Sequence, residues 1–354
     1  RALVFLVISC PCALVISIPF GYFGGIGAAS KAGILFKGAN YLDLMTKVNT
    51  VVMDKTGTLT KGVFDVQEVV AAENIDRDEL AGVVAAMEKF SNHPIAKAIV
   101  SFTGNKADKY NATDIEEISG HGLKGIVNGK TVLVGNGKLM KKFGIDYDIR
   151  ADFIVQTIVI AAIDGKYAGY ITIADEVKED AAEAIKNMHT NGIGKIVMLR
   201  GDQASITEKV ASVLGIDNAY GDLLPEDKVK HLEQLKADKN NVIAFVGDGI
   251  NDAPSLALSD VGIAMGGMGS DAAIEVADVI IQTDQPSKIA TAIKIAKSTR
   301  QVVMQNIILA FTVKAIVLVL GGFGVATMWE AVFADVGVSL LAILNAVRIL
   351  RMKF

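Results

Sequence analysis

Cysteine is nearly absent from these 354 residues: there are two, Cys10 and Cys12, separated by Pro11. Thiols so close in sequence cannot staple a fold, so a disulfide-built scaffold is excluded. Neither sign of charge dominates, 35 Lys and Arg facing 39 Asp and Glu for a net of −4. Composition therefore implies no polyanion-binding surface, and nucleic acid is not an expected partner. Internal repeats and low-complexity linkers are also missing. What is present is apolar: 51% of residues are hydrophobic and mean hydropathy is +0.41, while 21% are still charged. That mixture predicts membrane spans joined to soluble domains, a little over two domains' worth of chain. The chain starts at Arg1, within an apolar run and without Met, and reads as a segment of something longer.

Three runs are long enough to cross a bilayer as helices. Ala2 to Ser30 carries no charge, Val302 to Val325 carries only Lys314, and Thr327 to Val347 carries only Glu330 and Asp335. A signal peptide is the competing reading of the first run, but the apolar stretch continues well past Cys10. Gly321-Gly322-Phe323-Gly324 and its neighbours join the last two runs into a hairpin. Lys294, Lys297 and Arg300 precede it and Arg348, Arg351 and Lys353 follow it. The positive-inside rule then puts both outer ends, and the block from about Lys31 to Arg300, on the cytoplasmic side.

Within that block, residues 49–53, 195–199 and 242–246 are buried-strand patterns. They end at Asp54, at Arg200-Gly201-Asp202 and at Gly247-Asp248-Gly249. Carboxylates and glycines just past strand ends are where doubly wound α/β sheets hold ligands. Helical spacing over 181–191 and 206–214 supports right-handed crossovers. From Lys61 to about Thr172 the pattern changes, with a helix over 78–90 and Gly-punctuated strands over 118–134. A second domain inserted into the first is the economical reading.

The heptad Asp54-Lys55-Thr56-Gly57-Thr58-Leu59-Thr60 is the most specific string. A carboxylate at a strand end can attack phosphorus and form an aspartyl phosphate, dividing a transfer into two steps. A strand followed by a polar turn would explain Asp and Gly but not the whole heptad. Gly247 to Pro254 brings a second acidic loop, including Asp248, Asn251 and Asp252, and Pro225-Glu226-Asp227-Lys228 brings an ammonium. Two aspartate loops from neighbouring strand ends make a hard oxygen site suited to Mg²⁺.

On these motifs, from about Leu3 to Lys353, the chain resembles the second half of a P-type ATPase. The resemblance implies an α/β fold: a haloacid-dehalogenase-like, Rossmann-type phosphorylation domain (31–61 and 173–298) with an inserted α+β nucleotide-binding domain (62–172). Transmembrane α-helices complete it, one at 1–30 and a hairpin at 299–350. It implies phosphorylation of Asp54, with Lys55 beside it, Mg²⁺ on Asp54, Asp248 and the Thr56 carbonyl, and Thr56 and Lys228 against the phosphoryl group. Asn251 and Asp252 complete that loop, and Asp202 lies near the nucleotide. One departure stands out: the family usually has Thr immediately before the Gly-Asp pair, and here the residue is Arg200, for which altered phosphorylation kinetics are expected.

The inserted segment resembles the nucleotide domain of heavy-metal pumps, and the implied ATP pocket is Glu88, His93, Gly120, Gly122, Gly135 and Asn136. His93 before Pro94 would otherwise read as a helix-entry turn, and His121 is unassigned. The glycines form turns where backbone can approach a flat base.

Residues two apart on a straight helix point to nearly opposite sides, but Pro11 breaks the helix locally and can bring Cys10 and Cys12 to one site. A kinked helix with two inert thiols is the competing reading. Against it stand Lys314 and Asp335, ionisable groups inside spans, which are costly and usually functional. Two thiolates with Asp335 carry −3 and a divalent ion with Lys314 carries +3, so the filled site is neutral. Thiolates with a carboxylate suit Zn²⁺ or Cd²⁺, and the soft preference extends to Pb²⁺. The Cys-Pro-Cys motif and the charged pair resemble the zinc/cadmium/lead branch, whereas copper pumps lack that pair.

The function expected is ATP-driven export of Zn²⁺, Cd²⁺ or Pb²⁺ through an aspartyl phosphate, in a multi-pass protein of the cell membrane. A membrane-anchored phosphatase of the same fold and a non-catalytic metal-binding segment are the alternatives. ATP, heavy-metal ions and the lipid bilayer are the expected partners.

Overall fold

The computed structural model describes residues 12–91, 93–147, 157–200, 204–249, 252–266 and 271–354. Two compact units emerge, one made of the chain up to Leu59 together with Lys178–Phe354, the other of Thr60–Val177.

In the first unit, helix α1 (Cys12–Lys31) is followed by β1 (Ile34–Phe36), α2 (Ala39–Met45) and β2 (Thr50–Met53). The chain returns after Val177 as alternating helices and strands: α3 (Ala181–Thr190), β3 (Lys195–Leu199), α4 (Ala204–Leu214), β4 (Asn218–Tyr220), α5 (Pro225–Lys236), β5 (Ile243–Gly247), α6 (Ala253–Leu258), β6 (Val261–Met265), α7 (Asp271–Val276) and β7 (Val279–Ile281). Among the described residues seven strands form one sheet in the order β1-β7-β6-β5-β2-β3-β4. Only the β1–β7 pair is antiparallel. Parallel strands covered on both faces need continuous apolar runs, and β2, β5 and β6 are buried at every position. Met53, Met198 and Val246 pack into the core on one face, and Val52, Val197 and Phe245 into the core on the other.

Helix α8 (Ser287–Gly322) runs unbroken for 36 residues, about 54 Å at 1.5 Å per residue. Its start packs Ile289, Ile293 and Ala296 into the sheet's core, and its end carries the apolar run. The same helix thus joins the soluble core to the second span, which ends at Gly322 rather than at Val325. Gly324, at φ +76°, turns the chain, and Thr327 caps the next helix through a reciprocal bond with Glu330. Glu330 is therefore a capping residue at a helix entrance. The last apolar helix comprises α9 (Met328–Val332), a π-helical turn over Phe333–Gly337, and α10 (Val338–Val347). α1, α8 and the α9–α10 segment are long and apolar enough to cross a membrane. α1 meets α8 through glycine: a Cβ on Gly21 would lie 2.6 Å from Val303, and one on Gly25 would overlap Thr299. Small residues allow such close approach of spans.

The second unit is an antiparallel sheet of β8 (Thr60–Ala71), β9 (Ala112–Ile118), β10 (Gly122–Val127), β11 (Lys130–Gly135), β12 (Thr157–Ile163) and β13 (Lys166–Val177), ordered β8-β13-β12-β11-β10-β9. Helices α11 (Arg77–Glu88) and α12 (Pro94–Thr103) cover it, burying Leu80, Val84, Met87 and Ile99 against Val134, Ile171 and Ile173. Asp76 caps α11 by accepting the Asp78 amide at 2.9 Å.

Candidate active site

The parallel register sets the site. Met53 pairs with Val246 of β5 on one side and Met198 of β3 on the other. Asp54, Asp248 and Arg200 therefore leave the sheet at the C-terminal ends of three adjacent strands, as in other ligand crevices of doubly wound sheets. The Asp54 amide donates to Val246 O at 2.9 Å and its Oδ2 accepts the Thr56 amide at 3.2 Å. Lys228, in the first turn of α5, donates to Asp54 Oδ1 at 2.7 Å and to Asp252 Oδ1 at 2.9 Å. Asp54, Lys55, Arg200, Lys228 and Asp252 are all buried.

Asp54, Asp248 and Asp252 offer oxygens within 4.8 Å of one another. Burial, then the charges of Asp54 and Asp252, push Asp248 up to about 7. Burial pushes Asp54 up as well, against the opposing charges of Lys228 and Arg200. Burial pulls Lys228 down, but the two carboxylates beside it outweigh that and raise it. Three carboxylates crowded together demand cations, and the hard oxygen donors fit a magnesium-like ion.

Gly57 explains the glycine of the heptad. It sits at φ +69°, and a Cβ there would collide with the Asp248 carboxylate. Lys178 fixes this loop by donating to Gly57 O at 2.6 Å while pairing with Asp284 at 3.0 Å. No motif pointed to Lys178, which is 121 positions away from its partner. Asp202 and Asn251 lie outside the described residues.

All six residues expected around a nucleotide, Glu88, His93, Gly120, Gly122, Gly135 and Asn136, line one cavity of about 340 Å³ in the second unit. Glu117, His121 and Thr157 line it too and were not anticipated. Burial, then the charge of Glu117, pushes Glu88 up to about 7. His93 is indeed the entry residue of α12, its Nδ1 accepting the Ile95 amide at 3.3 Å. Asn136 donates to Gly120 O at 2.9 Å and caps the short helix Gly137–Lys142. The structure adds a physical reason for two of the glycines. Gly122 and Gly135 are cross-strand partners, and a Cβ on either would strike the other's backbone. Strand contact alone therefore requires glycine at both positions.

Lys314 and Asp335 meet in the membrane segment at 3.5 Å, both largely buried. Asp335 sits on the π-helical turn, a distortion that often marks functional positions. Cys10 lies outside the described residues; Cys12 opens α1, and its side chain lies outside them.

The sequence profile of the haloacid dehalogenase-like hydrolases matches residues 48–260. The chain belongs to that family. It is 55% identical, over its whole length, to half of a cadmium, zinc and cobalt-transporting ATPase of Bacillus subtilis (strain 168), covering 100% of this chain and 50% of that protein. A zinc-transporting ATPase of Synechocystis sp. is 54% identical over 99% of this chain and 48% of its own. The chain spans about half the length of such relatives. The crystal structure of a zinc-transporting PIB-type ATPase in the E2.Pi state superposes with a TM-score of 0.85 at 35% identity, covering 99% of this chain and 57% of the other. The chain is accordingly a membrane protein, and among the described residues three helices are long and apolar enough to cross a membrane.

Proposed function

We propose that this chain is the ATP-binding, phosphorylation and partial transport segment of a pump that exports divalent heavy-metal ions. The observation that carries the reading is the buried cluster of Asp54, Lys228, Asp248 and Asp252 at adjacent strand ends.

Asp54 is the nucleophile. Its carboxylate oxygen bonds to the γ-phosphorus of ATP while the bond from phosphorus to the bridging oxygen breaks, the electron pair leaving with ADP. Lys228 neutralises phosphoryl oxygen charge and keeps Asp54 aligned, and Lys55 and Thr56 close the loop around it. Asp54, Asp248 and the Thr56 carbonyl would hold Mg²⁺, with Asp252 beside them; bound there, the ion supplies charge neutralisation on the transferring group. Water then attacks the aspartyl phosphate, releases inorganic phosphate and restores the carboxylate. The cavity around Glu88, His93, Gly120, Gly122, Gly135 and Asn136 takes the adenine end of ATP, and Asp202 and Asn251 belong to the loops near the phosphates.

In the membrane, Cys10, Cys12 and Asp335 form the cargo site, and Lys314 is the counter-ion that occupies Asp335 when the cargo has left. Thiolate and carboxylate donors favour Zn²⁺ and Cd²⁺, and Pb²⁺ joins them on donor chemistry. Positive-inside asymmetry supports a cell-membrane orientation with the α/β unit cytoplasmic.

Acid-stable label from γ-labelled ATP in the full-length pump tests the catalytic half. Label that is lost in Asp54→Asn and released by hydroxylamine is the expected result; equal label in Asp54→Asn would overturn the assignment.

A further inference from the structure

Ser17 is a hydroxyl set in the apolar helix α1, and it is fully buried. Val15 and Ile16 beside it are exposed, whereas Ala13 and Gly21, about one turn away on either side, are buried. Ser17 therefore lies on the face that α1 turns toward α8 and α10. Its level is fixed by what packs around it. Ala13 packs with Ala310 and Val338. A Cβ on Gly21 would meet Val303, and one on Gly24 would lie 3.1 Å from Ala346 O. Ser17 falls between these contacts, as do Asn306 on α8 and Ala342 on α10, both fully buried. Those two are joined directly, Asn306 Nδ2 donating to Ala342 O at 2.9 Å. Asn345 Nδ2 donates to Asn306 Oδ1 at 2.8 Å, and Gln305 Oε1 accepts from Asn345 and from the exposed Arg348. A polar chain thus enters the packing of the three helices from its Arg348 end and stops at the level of Ser17. Ser17 Oγ itself has no hydrogen-bond partner among the described residues, not even the carbonyl one turn back that a helical serine can use. Such a hydroxyl is costly in an apolar helix and calls for a ligand.

We propose that the Ser17 hydroxyl is a transient ligand of the divalent ion, one step before the cargo site. The proposal rests on the reading of Cys10, Cys12 and Asp335 as that site. Asn306 lies eight positions before Lys314 on α8, about 12 Å of helix, and Ala342 lies seven positions after Asp335. The level of Ser17 is therefore on the Arg348 side of the charged pair. Positive-inside asymmetry makes that the side from which cargo arrives. An ion entering there meets neutral oxygen before it meets thiolate. Ser17 Oγ offers two lone pairs, and Asn306 Oδ1 keeps one beyond its bond to Asn345. Neutral oxygens suit a partly hydrated ion and hold a soft divalent ion more weakly than thiolates do, which lets it move on to the stronger site. The ion exchanges a water for Ser17 Oγ and then Ser17 Oγ for thiolate, and the hydroxyl keeps its proton throughout. A serine present only as a small residue that lets helices approach would leave loading unchanged when replaced by alanine.

Loading of the detergent-solubilised full-length pump with Cd²⁺, followed in time by thiolate-to-cadmium charge-transfer absorption, separates the two roles. No ATP is added, and the Cys10→Ser, Cys12→Ser double variant serves as the blank. Ser17→Ala should slow the rise in absorption about fivefold at subsaturating Cd²⁺, the scale of one lost neutral contact, and should reach the wild-type amplitude. Ser17→Cys places a strong soft donor at the same point, so Cd²⁺ should be retained there and the final amplitude should exceed that of the wild type. A wild-type loading rate in folded Ser17→Ala overturns the proposal. Should that variant fail to fold, Ser17→Cys decides, and a wild-type amplitude in it overturns the proposal. Failure of the cargo-site reading shows differently, as a wild-type signal no larger than the blank. Cd²⁺ loading that depends on Ser17 but starts no phosphorylation of Asp54 once ATP is added would sink the pump reading alone.

Discussion

Lys228 holds two buried carboxylates at once, so its removal does more than delete a charge near phosphorus. Lys228→Met should slow phosphoenzyme formation by roughly 10²- to 10³-fold, the scale for losing one preorganised electrostatic donor. Rapid-quench labelling reads this directly, and a rate within twofold of wild type would remove Lys228 from the transfer step. Gly57→Ala should be as harmful through geometry alone, since the new Cβ meets the Asp248 carboxylate. It should raise the Mg²⁺ concentration needed for half-maximal label, and an unshifted Mg²⁺ titration would contradict the fit of Asp248 to the ion. Glu88 gives the pH prediction. Its carboxyl titrates near 7 in the folded state against 4.5 ordinarily, so between those values the unfolded state ionises first. Stability of the Thr60–Val177 unit therefore falls as pH rises from about 4.5 to about 7, by on the order of 3 kcal/mol in all, and levels off above. Glu88→Gln should abolish the slope and protect α11 better at pH 8; hydrogen exchange over residues 80–91 is the measurement, and an unchanged pH slope would refute it. Asp54 and Lys228 could be named from sequence because their motifs are short and local. Lys178 and Glu117 could not, because nothing near them in sequence signals what they touch.

At the scale of elements, legibility followed burial pattern. β2, β3 and β5 were readable because strands covered on both faces must be uniformly apolar, and their boundaries agree within one residue. The inserted unit was readable mainly as a change of pattern. Its long strands β8 and β13 have register shifts between them, and β13 mixes buried and half-buried positions without alternation, so neither alternation nor a hydrophobic run marks them cleanly. α8 was read as a span beginning near Val302, because the charges of Lys294, Lys297 and Arg300 mask an apolar face that buries Ile289, Ile293 and Ala296 in the soluble core. The close contact of α1 and α8 makes a test of its own. Gly25→Leu should force these helices apart at Thr299 and lower the thermal stability of the detergent-solubilised pump. A melting temperature equal to that of wild type would show that the helices do not pack as described.

Across the whole molecule, the catalytic crevice and the Lys314–Asp335 pair are tied by one continuous helix. α8 starts in the core beneath the sheet and carries Lys314 into the membrane segment, so a shift of the sheet can reach the Lys314–Asp335 pair without passing through a loop. In the proposed function, metal in the membrane governs chemistry at Asp54, and the charged pair selects divalent ions. The most direct measurement is the ion dependence of acid-stable label at Asp54 in the full-length pump, with Zn²⁺, Cd²⁺ and Cu⁺ compared at equal free concentration. Label that appears with Zn²⁺ and Cd²⁺, is absent with Cu⁺ and disappears in Asp335→Ala is the result expected. Label driven by Cu⁺, or by no ion at all, would contradict it.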